Sequence, residues 1–267
     1  MFEIMEEIIE LDTVFGKLKC YANDLITKQI QQFGNHTRPE FAFATSLILK
    51  DFKIFDLGAH IGTFTLSALK KIDSNSKVLC VEGNKKTYDL LCENTNMNYN
   101  VVNLNKFVGH GGNKKYEYKK LDNNTGGGHL IKSHVEEIET VSIDKLVNDY
   151  FSPDYIKIDI EGFESIAVKN STYIQKHTPI LYIELNDESL KKNGSSSIEL
   201  LICLESYGYA FFRNIGERNA EHDLFLVNHL KNYMNTTLPR VCDLLCVNPK
   251  TKMFEHLVKA SITLKKI

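Results

Sequence analysis

The sequence predicts an α/β fold in which a mostly parallel β-sheet carries helices on both faces. From Phe52 onward, short apolar segments alternate with segments whose apolar residues recur at helical spacing. The connections between them are short, and such alternation is typical of strands that run in the same direction. Ligands of such a sheet bind beyond the carboxyl ends of its strands, so the residues at those ends are the first candidates for a site.

A lead-in segment precedes the alternation. In it, "TVFGKLKCYAND" predicts a hairpin, and "RPEFAFATSLILK" predicts a helix that begins near Arg38, because Pro39 suits the first turn of a helix. We therefore predict three parts, which are the lead-in over 1–50, a core domain over 51–250 and a C-terminal helix over 251–267.

The core alternates strands and helices in order. "KIFDLG", "KVLCVEG" and "VVNLNKFVG" predict strands, and "TFTLSALKKI" and "KKTYDLLCENTNM" predict the helices between them. "KKYEYKK" reads as a solvated strand edge, and the loop-like "KKLDNNTGGGH" precedes "IETVSIDKLVNDY", which predicts a short strand and a helix. "YIKIDIEG" and "PILYIELN" are strands followed by the helices "FESIAVKNSTYIQ" and "SSSIELLICLESYGY". "YAFFRN", "DLFLVN" and "CDLLCVN" predict further strands.

Composition excludes several classes of protein. The 267 residues are 43% hydrophobic and 25% charged, which is enough to bury a sizeable core. A net charge of −2 argues against a dedicated nucleic-acid binder, although local basic patches leave contact with RNA open. No apolar run approaches the roughly 20 residues of a membrane-spanning helix. The acidic start "MFEIMEEIIE" lacks the basic region of a signal peptide, so the six cysteines are expected to be reduced thiols of a cytoplasmic protein.

A glycine turn follows the first core strand, in "FDLGAHIGTFT". The dinucleotide fingerprint G-x-G-x-x-G would need glycines where His60 and Thr63 stand, which disfavours an NAD-dependent oxidoreductase. Gly58 and Gly62 still let the chain turn close to a flat nucleoside. Glu82 ends the next strand, where an acid accepts hydrogen bonds from ribose hydroxyls. Together these features favour S-adenosylmethionine (SAM), and the alternative is a tight turn plus a helix-capping carboxylate.

Several blocks of the chain resemble the FkbM-type SAM-dependent methyltransferases. "FDLGAHIGTFT" is similar to the family's D-x-G-A-N-x-G-x-x-[ST] turn, and "PDYIKIDIEGFESIAVKN" closely resembles its D-x-I-K-I-D-V-E-G-x-E-x-x-V-L-x-G block. The resemblance covers roughly Tyr21 to Asn186. It implies a Rossmann-like class I methyltransferase sandwich with a mostly parallel seven-stranded sheet, and methyl transfer from SAM to an oxygen of a sugar, a polyketide or another small acceptor.

The turn, the strand-end acid and the matching blocks give ten candidate cofactor-binding residues. They are Glu40, Asp56, Gly58, Ala59, His60, Gly62, Thr63, Glu82, Gly83 and Asn84. Two of them depart from the family pattern: His60 replaces an asparagine and Gly83 a proline, which leaves the shape of the ribose and methionine pocket open. We expect His60 near the methionine carboxylate, and Gly126 to His129 either as a flap over the cofactor or as a plain surface loop.

Acids follow the strand "YIKIDIEG" and give the catalytic candidates. Asp159 stands where the donor methyl group should point, and is predicted to be the general base or to orient the acceptor, with a helix-capping carboxylate as the alternative. Glu161 either orients the substrate or stabilises the next helix through its dipole. Glu164 is predicted to be structural, and Lys157 to pair with a carboxylate or to reach the end of the sheet.

A metal site is an alternative reading of the same strand ends. Glu184 and Asn186 end the next strand, and with Asp159 they form an acid–acid–amide set that suits Mg²⁺. The alternative is that no metal binds. His129 and His222 are further candidate bases, with an ordinary polar role as the alternative for each.

The leading hypothesis is a SAM-dependent O-methyltransferase that acts on a hydroxyl of a sugar, glycan or other small acceptor. An RNA or protein acceptor and a catalytically degenerate SAM-binding module are the alternatives. The retained acids Asp56, Glu82 and Asp159 argue against the degenerate module. The C-terminal "MFEHLVKASITLKKI" predicts an amphipathic helix that either covers a sheet edge or mediates a homodimer.

Overall fold

The computed structural model describes residues 7–119 and 124–261, without the side chains of 132–137. Most of "MFEIMEEIIE", the middle of the "KKLDNNTGGGH" loop and the last residues of the predicted C-terminal helix lie outside the described residues. The predicted division into three parts remains a prediction.

The strands of the described residues are β1 (Ile8–Thr13), β2 (Gly16–Tyr21), β3 (Lys53–Leu57), β4 (Lys77–Glu82), β5 (Val101–Asn105), β6 (Phe107–Val108), β7 (Gly112–Lys119), β8 (His129–Val141), β9 (Tyr155–Ile158), β10 (Ile180–Asn186), β11 (Ala210–Asn214), β12 (Val227–His229) and β13 (Val241–Val247). The α-helices are α1 (Leu25–Phe33), α2 (Arg38–Ala44), α3 (Thr63–Leu69), α4 (Lys85–Thr95), α5 (Ile143–Asp149), α6 (Glu164–Lys169), α7 (Thr172–His177), α8 (Asp187–Lys192), α9 (Ser197–Ser206) and α10 (Lys252–Ala260). No helix among the residues described here is long and apolar enough to cross a bilayer.

The main sheet has the strand order β12-β11-β13-β10-β9-β3-β4-β5. The five strands from β10 to β5 are parallel, and β13 pairs antiparallel with β10 and with β11. The predicted α/β sandwich with a mostly parallel sheet is therefore confirmed. Its predicted seven strands are corrected to eight, because the three-residue strand β12 adds an antiparallel edge next to β11.

Both faces of the central strands are buried, which explains their nearly continuous apolar sequence. Along β3, Phe55 and Leu57 pack in one core cluster while Ile54 packs in the other. Helices α5 to α9 contribute to the first cluster, and α2, α3, α4 and α10 to the second. The helices therefore cover both faces of the sheet.

The first hairpin and α1 pack against one flank of this sandwich. β1 and β2 pair antiparallel, as the sequence predicts for the lead-in. Leu18, Ile26 and Ile30 are buried against Ile61 and Leu90 from the core. The lead-in thus reaches the loop that follows β3.

Several elements differ from their sequence predictions, among them the strand predicted over "DLFLVN", of which only the last two residues belong to β12. The predicted strand "VVNLNKFVG" is split, because β6 leaves the main sheet and joins β7 and β8 in a separate three-stranded sheet. The helix predicted over "FESIAVKNSTYIQ" is two helices, since Ser171 caps α7 with its hydroxyl. The helix predicted over "RPEFAFATSLILK" ends at Ala44 and is followed by one 3₁₀ turn, Thr45–Leu47.

Candidate functional site

A cavity of about 680 Å³ lies at the carboxyl ends of β3, β4, β9 and β10. Cavities of this size hold small molecules and cofactors. The predicted site residues that line it are Gly58, Ala59, His60, Thr63, Glu82, Gly83, Gly126, His129, Asp159, Glu161, Glu184 and Asn186. Residues up to 128 positions apart in sequence thus surround one space, as expected for the strand ends of such a sheet.

The glycine turn brings β3, β4 and β9 together. The backbone N–H groups of Gly58 and Ala59 both donate to the carbonyl of Val81, at 2.9 and 3.0 Å. Gly58 has φ +78°, and a Cβ atom there would stand 1.8 Å from the carbonyl oxygen of Asp159. Glycine is therefore required at residue 58 both for the backbone conformation and for the close approach of the next strand.

This close approach makes a test by alanine substitution possible. Gly194 has nearly the same φ, +79°, but open space around its absent Cβ. We expect Gly58→Ala to lower the free energy of unfolding by about 2 kcal/mol more than Gly194→Ala, because only the former adds overpacking to backbone strain. Urea denaturation of both variants measures the difference, and equal losses would contradict the contact.

Glu82 joins the two loops beside this turn. Its carboxylate accepts hydrogen bonds from the backbone N–H of His60 at 2.9 Å and of Asn84 at 2.8 Å. Each oxygen retains a lone pair that can accept a further hydrogen bond. Burial raises the pKa of Glu82 despite these two backbone hydrogen bonds. The residue thus offers acceptors at the cavity wall, as a ribose diol requires.

His60 connects the turn to the loop that contains Gly126. Thr125 donates through its backbone N–H and its hydroxyl to Asp24, at 2.6 and 2.9 Å. The Thr125 hydroxyl therefore accepts the hydrogen bond from Nε2–H of His60, at 2.8 Å, which assigns the proton to Nε2. Burial lowers the pKa of His60 to about 4, so its ring is neutral at pH 7. His60 thereby ties the predicted flap to the cofactor turn.

Lys157 lies under the site as a buried cation. Its ammonium donates to the carbonyl of Gly58 at 2.5 Å, and it lies 3.3 Å from Asp56 and 3.6 Å from Asp159. Thr65 donates to the other oxygen of Asp56 at 2.6 Å. Burial alone would lower the pKa of Lys157, but the carboxylates of Asp159 and Asp56 raise it above its ordinary value. Of the two alternatives for this lysine, the structure shows pairing with carboxylates.

Asp159, Glu161 and Glu184 form an acidic cluster. One oxygen of each carboxylate lies within 4.8 Å of the others. Burial, followed by the charge of Asp159, raises the pKa values of Glu161 and Glu184 well above the ordinary value. Glu161 has φ +52°, a left-handed conformation that non-glycine residues seldom adopt.

Glu164 and Asn186 hold backbone at the edge of this cluster. Glu164 accepts from the N–H groups of Ile160 at 2.9 Å and Gly162 at 3.0 Å, which fixes the turn that carries Glu161. Asn186 accepts from the N–H of Ser189 at 3.3 Å and so caps α8. The structure brings Glu161 together with Asp159 and Glu184, two members of the predicted metal set, and the third member, Asn186, lines the same cavity. The predicted metal set remains a prediction.

Four of the ten predicted cofactor residues lie behind the cavity wall. Glu40 is buried and contacts Tyr182 at 3.4 Å and Asn214 at 3.1 Å, and burial raises its pKa to about 7. Asp56 accepts a hydrogen bond from Thr65 beneath the glycine turn. Gly62 stands at the start of α3, and Asn84 caps α4. Outside the cavity as well, His222 forms an ion pair with Glu217 at 3.2 Å.

Aromatic and basic residues complete the wall, and the sequence did not point to them. They include the aromatic Phe107, Tyr118 and Phe163 and the basic Lys106, Lys192 and Arg218, and Leu130 and Asp243 line the same wall. A Cβ on Gly83 would stand 2.2 Å from the Phe107 ring, and one on Gly128 would stand 1.9 Å from the Tyr118 hydroxyl. Gly83 and Gly128 therefore leave room for these two rings. The rings belong to the small sheet, so their contact with the glycines could not be predicted from the sequence.

Comparison with known proteins gives one family. The family model of the methyltransferase FkbM domain matches residues 56–211, more than half of the 267 residues. This match contains the glycine turn, Glu82 and the acidic cluster. No curated protein sequence matches the chain.

Solved structures with a similar fold are distant in sequence. Precorrin-6y C5,15-methyltransferase from Geobacter metallireducens has a TM-score of 0.44 at 12% identity, covering 78% of this chain and 86% of that one. Aeropyrum pernix fibrillarin with natively bound S-adenosyl-L-methionine has 0.44 at 12%, covering 78% and 72%. Ribosomal protein L11 methylase from Lactobacillus delbrueckii subsp. bulgaricus has 0.42 at 12%, covering 80% of each chain. Scores and identities this low carry nothing about the chemistry of this chain.

Proposed function

The chain belongs to the methyltransferase FkbM domain family, and from that premise we propose that it transfers the methyl group of SAM to a hydroxyl of a sugar, glycan or other small acceptor. The observation that supports this proposal is the acidic cluster beside the glycine turn, at the bottom of a cavity of about 680 Å³. We expect the nucleoside cofactor beside the glycine turn, where these carboxylates are the nearby proton acceptors.

The residues of the turn fit SAM better than they fit a dinucleotide. Glu82 presents carboxylate oxygens to the cavity for a ribose diol, and Gly58 and Ala59 line the same wall with little side-chain bulk. Phe107 and Tyr118 supply aromatic surface for a nucleobase. We assign cofactor binding to Gly58, Ala59, His60, Thr63, Glu82 and Gly83, and a supporting role to Glu40, Asp56, Gly62 and Asn84.

When bound, SAM supplies a methyl group on a positively charged sulfur. An acceptor hydroxyl must lose its proton as the oxygen is methylated, and a carboxylate within hydrogen-bond reach serves as the general base. The Asp159 side chain is 38% exposed and lines the cavity, whereas Glu161 and Glu184 are more deeply buried beside it. We therefore assign the base to Asp159 and the orientation of the acceptor to Glu161.

The charge of the chain argues against a polyanionic acceptor. The net charge of −2 supplies no long-range attraction for the phosphates of RNA. A polyol hydroxyl, in contrast, donates hydrogen bonds that carboxylates accept. A small hydroxylated acceptor is therefore favoured over RNA.

Transfer of a radiolabelled methyl group tests the acceptor class. The protein is incubated with methyl-labelled SAM and, separately, with sugars and sugar nucleotides, glycans, bulk RNA and protein extracts. We expect label in hydroxyl compounds as alkali-stable methyl ethers, and its loss with Asp159→Asn although S-adenosylhomocysteine still binds. If RNA or protein were labelled, the proposed small acceptor would be wrong. If the chain bound the cofactor but labelled none of the pools, it would be the catalytically degenerate SAM-binding module.

Location and assembly remain predictions from the sequence. We keep the cytoplasmic location and the homodimer as predictions. Of the two roles predicted for the C-terminal helix, packing of Met253, Phe254 and Leu257 in the second core cluster supports covering the sheet. Size-exclusion chromatography with light scattering decides between monomer and dimer.

A further inference from the structure

We propose that Asp159, Glu161 and Glu184 bind a hard divalent cation of the Mg²⁺ or Mn²⁺ type at the acceptor end of the cavity. The inference rests on the proposed function and deepens it, because the cation would stand where the acceptor hydroxyl is expected. One oxygen of Asp159 would bind the cation, and its other oxygen remains to accept the proton of that hydroxyl. The inference also extends the ligand set that the sequence suggests, since Glu161 joins Asp159 and Glu184, while the side-chain oxygen of Asn186 accepts the N–H of Ser189.

The spacing of the three carboxylates suits one cation. One oxygen from each lies within 4.8 Å of the others. Oxygens that ligate one divalent cation at about 2.0 to 2.6 Å stand about 3 to 5 Å apart. Rotations of the carboxylates within their own rotamers therefore bring three oxygens around a common centre, with no movement of the strands.

An unpartnered oxygen of Glu184 is the second, independent observation. Glu184 is 8% exposed, and its Oε2 has no hydrogen-bond partner among the described residues. A buried carboxylate oxygen without a donor is costly, so such an atom indicates a missing ligand. Because Glu184 lines the cavity within the acidic cluster, that ligand belongs to the space between the three acids.

The surrounding cations, which include Lys192 and Arg218 of the cavity wall, neutralise the cluster only in part. Lys157 lies 3.6 Å from Asp159 but is also shared with Asp56 and with the carbonyl of Gly58. Within the part of the chain that the structure describes, neither Glu161 nor Glu184 has an ion pair. A divalent cation removes most of this excess negative charge.

The backbone of Glu161 is held in an unfavourable left-handed conformation that directs its side chain into the site. Glu161 has φ +52° and Gly162 φ +100°, and Glu164 holds both through hydrogen bonds to the neighbouring N–H groups. Strained turns of this kind persist where the surrounding structure fixes them for a function. Here the turn directs the Glu161 carboxylate towards Glu184 and Asp159 instead of into solvent.

A cation at this position narrows the acceptor class. Three carboxylates supply about three of the roughly six ligands of such a cation, which leaves about three positions for water or acceptor oxygens. These positions face the cavity, because the ligands approach from the strand ends. An acceptor with two adjacent oxygens, such as a vicinal diol, would occupy two of them.

Manganese binding tests the site without any acceptor. The chain is treated with EDTA, dialysed and titrated with MnCl₂, and free hexaaqua Mn²⁺ is counted by electron paramagnetic resonance. We expect one Mn²⁺ to bind per chain. Added Mg²⁺ or Ca²⁺ should release this Mn²⁺, and the ion that releases it at the lower concentration is the one that the site prefers. Glu184→Gln removes a direct ligand and should weaken Mn²⁺ binding by more than about tenfold. Loss of a residue that only supports a ligand already weakens metal binding by about tenfold or more.

Glu188→Gln is the matched control, since Glu188 lines the cavity but is exposed and paired with Arg240 outside the cluster. It should leave Mn²⁺ affinity unchanged, and Glu161→Gln replaces Glu184→Gln if the latter does not fold. The cation site would be overturned if no Mn²⁺ bound at millimolar concentration. It would also be overturned if Glu184→Gln and Glu188→Gln changed the Mn²⁺ affinity equally. Binding of S-adenosylhomocysteine in EDTA, measured on the same sample, keeps this outcome distinct from failure of the proposed function.

Discussion

Replacing Lys157 with methionine is expected to lower the free energy of unfolding by about 3 to 5 kcal/mol, the usual cost of removing one partner from a buried ion pair. Asp56 is fully buried, and Lys157 is its cationic partner at 3.3 Å. Methionine fills a similar volume but leaves the Asp56 carboxylate with only the hydrogen bond from Thr65. Urea denaturation followed by circular dichroism measures the loss.

Two further variants separate charge from packing. Lys77→Met changes an exposed lysine at the start of β4 and should alter stability by less than about 0.5 kcal/mol. Adding Asp56→Asn to Lys157→Met removes the uncompensated charge and should recover part of the loss. If the double variant were as unstable as the sum of the single variants, the ion pair would not be the cause.

Replacing Glu82 with alanine should reduce the affinity for S-adenosylhomocysteine by about 100-fold or more. Hydrogen bonds to a charged acceptor contribute about 1.5 to 3 kcal/mol each, and the proposed ribose contacts use both carboxylate oxygens. The variant also leaves the N–H groups of His60 and Asn84 without their acceptor, so the turn loses its shape. Isothermal titration calorimetry with S-adenosylhomocysteine gives the affinity directly.

Glu93 offers a matched control for this experiment. It lies on α4, is half exposed, and pairs with Lys19 at 2.5 Å away from the cavity. Glu93→Ala should bind S-adenosylhomocysteine like the unchanged chain, while Glu82→Gln should be intermediate because an amide oxygen still accepts one N–H. If Glu82→Ala bound S-adenosylhomocysteine with unchanged affinity, the nucleoside would not bind at Glu82.

The centre of the fold was predictable because its strands are buried on both faces. β3, β4, β9 and β10 show as apolar segments, and the helices between them show as apolar residues at helical spacing. The small sheet was less predictable. β7 and residues 132–137 of β8 are rich in lysine and glutamate, so neither the length of β8 nor its pairing with β7 could be read from an apolar pattern.

The candidate site divides in the same way. Strand-end position alone pointed to Gly58, Glu82 and Asp159, and each of them lines the cavity. Glu40 and Asn84 also stand near motifs, but the structure turns their side chains to neighbouring protein groups. Proximity to a motif does not say which way a side chain points.

By itself, the sequence determined the α/β class, the family and the strand ends that form the site, because these depend on local periodicity and on residues close together in the chain. Only the tertiary structure decided that Glu161 lies together with Asp159 and Glu184, and that Lys157 lies 3.6 Å from Asp159. The reason is geometric. A left-handed turn at Glu161 reverses the direction of its side chain, and a cap at α8 engages Asn186, and neither effect has a periodic signal in the sequence.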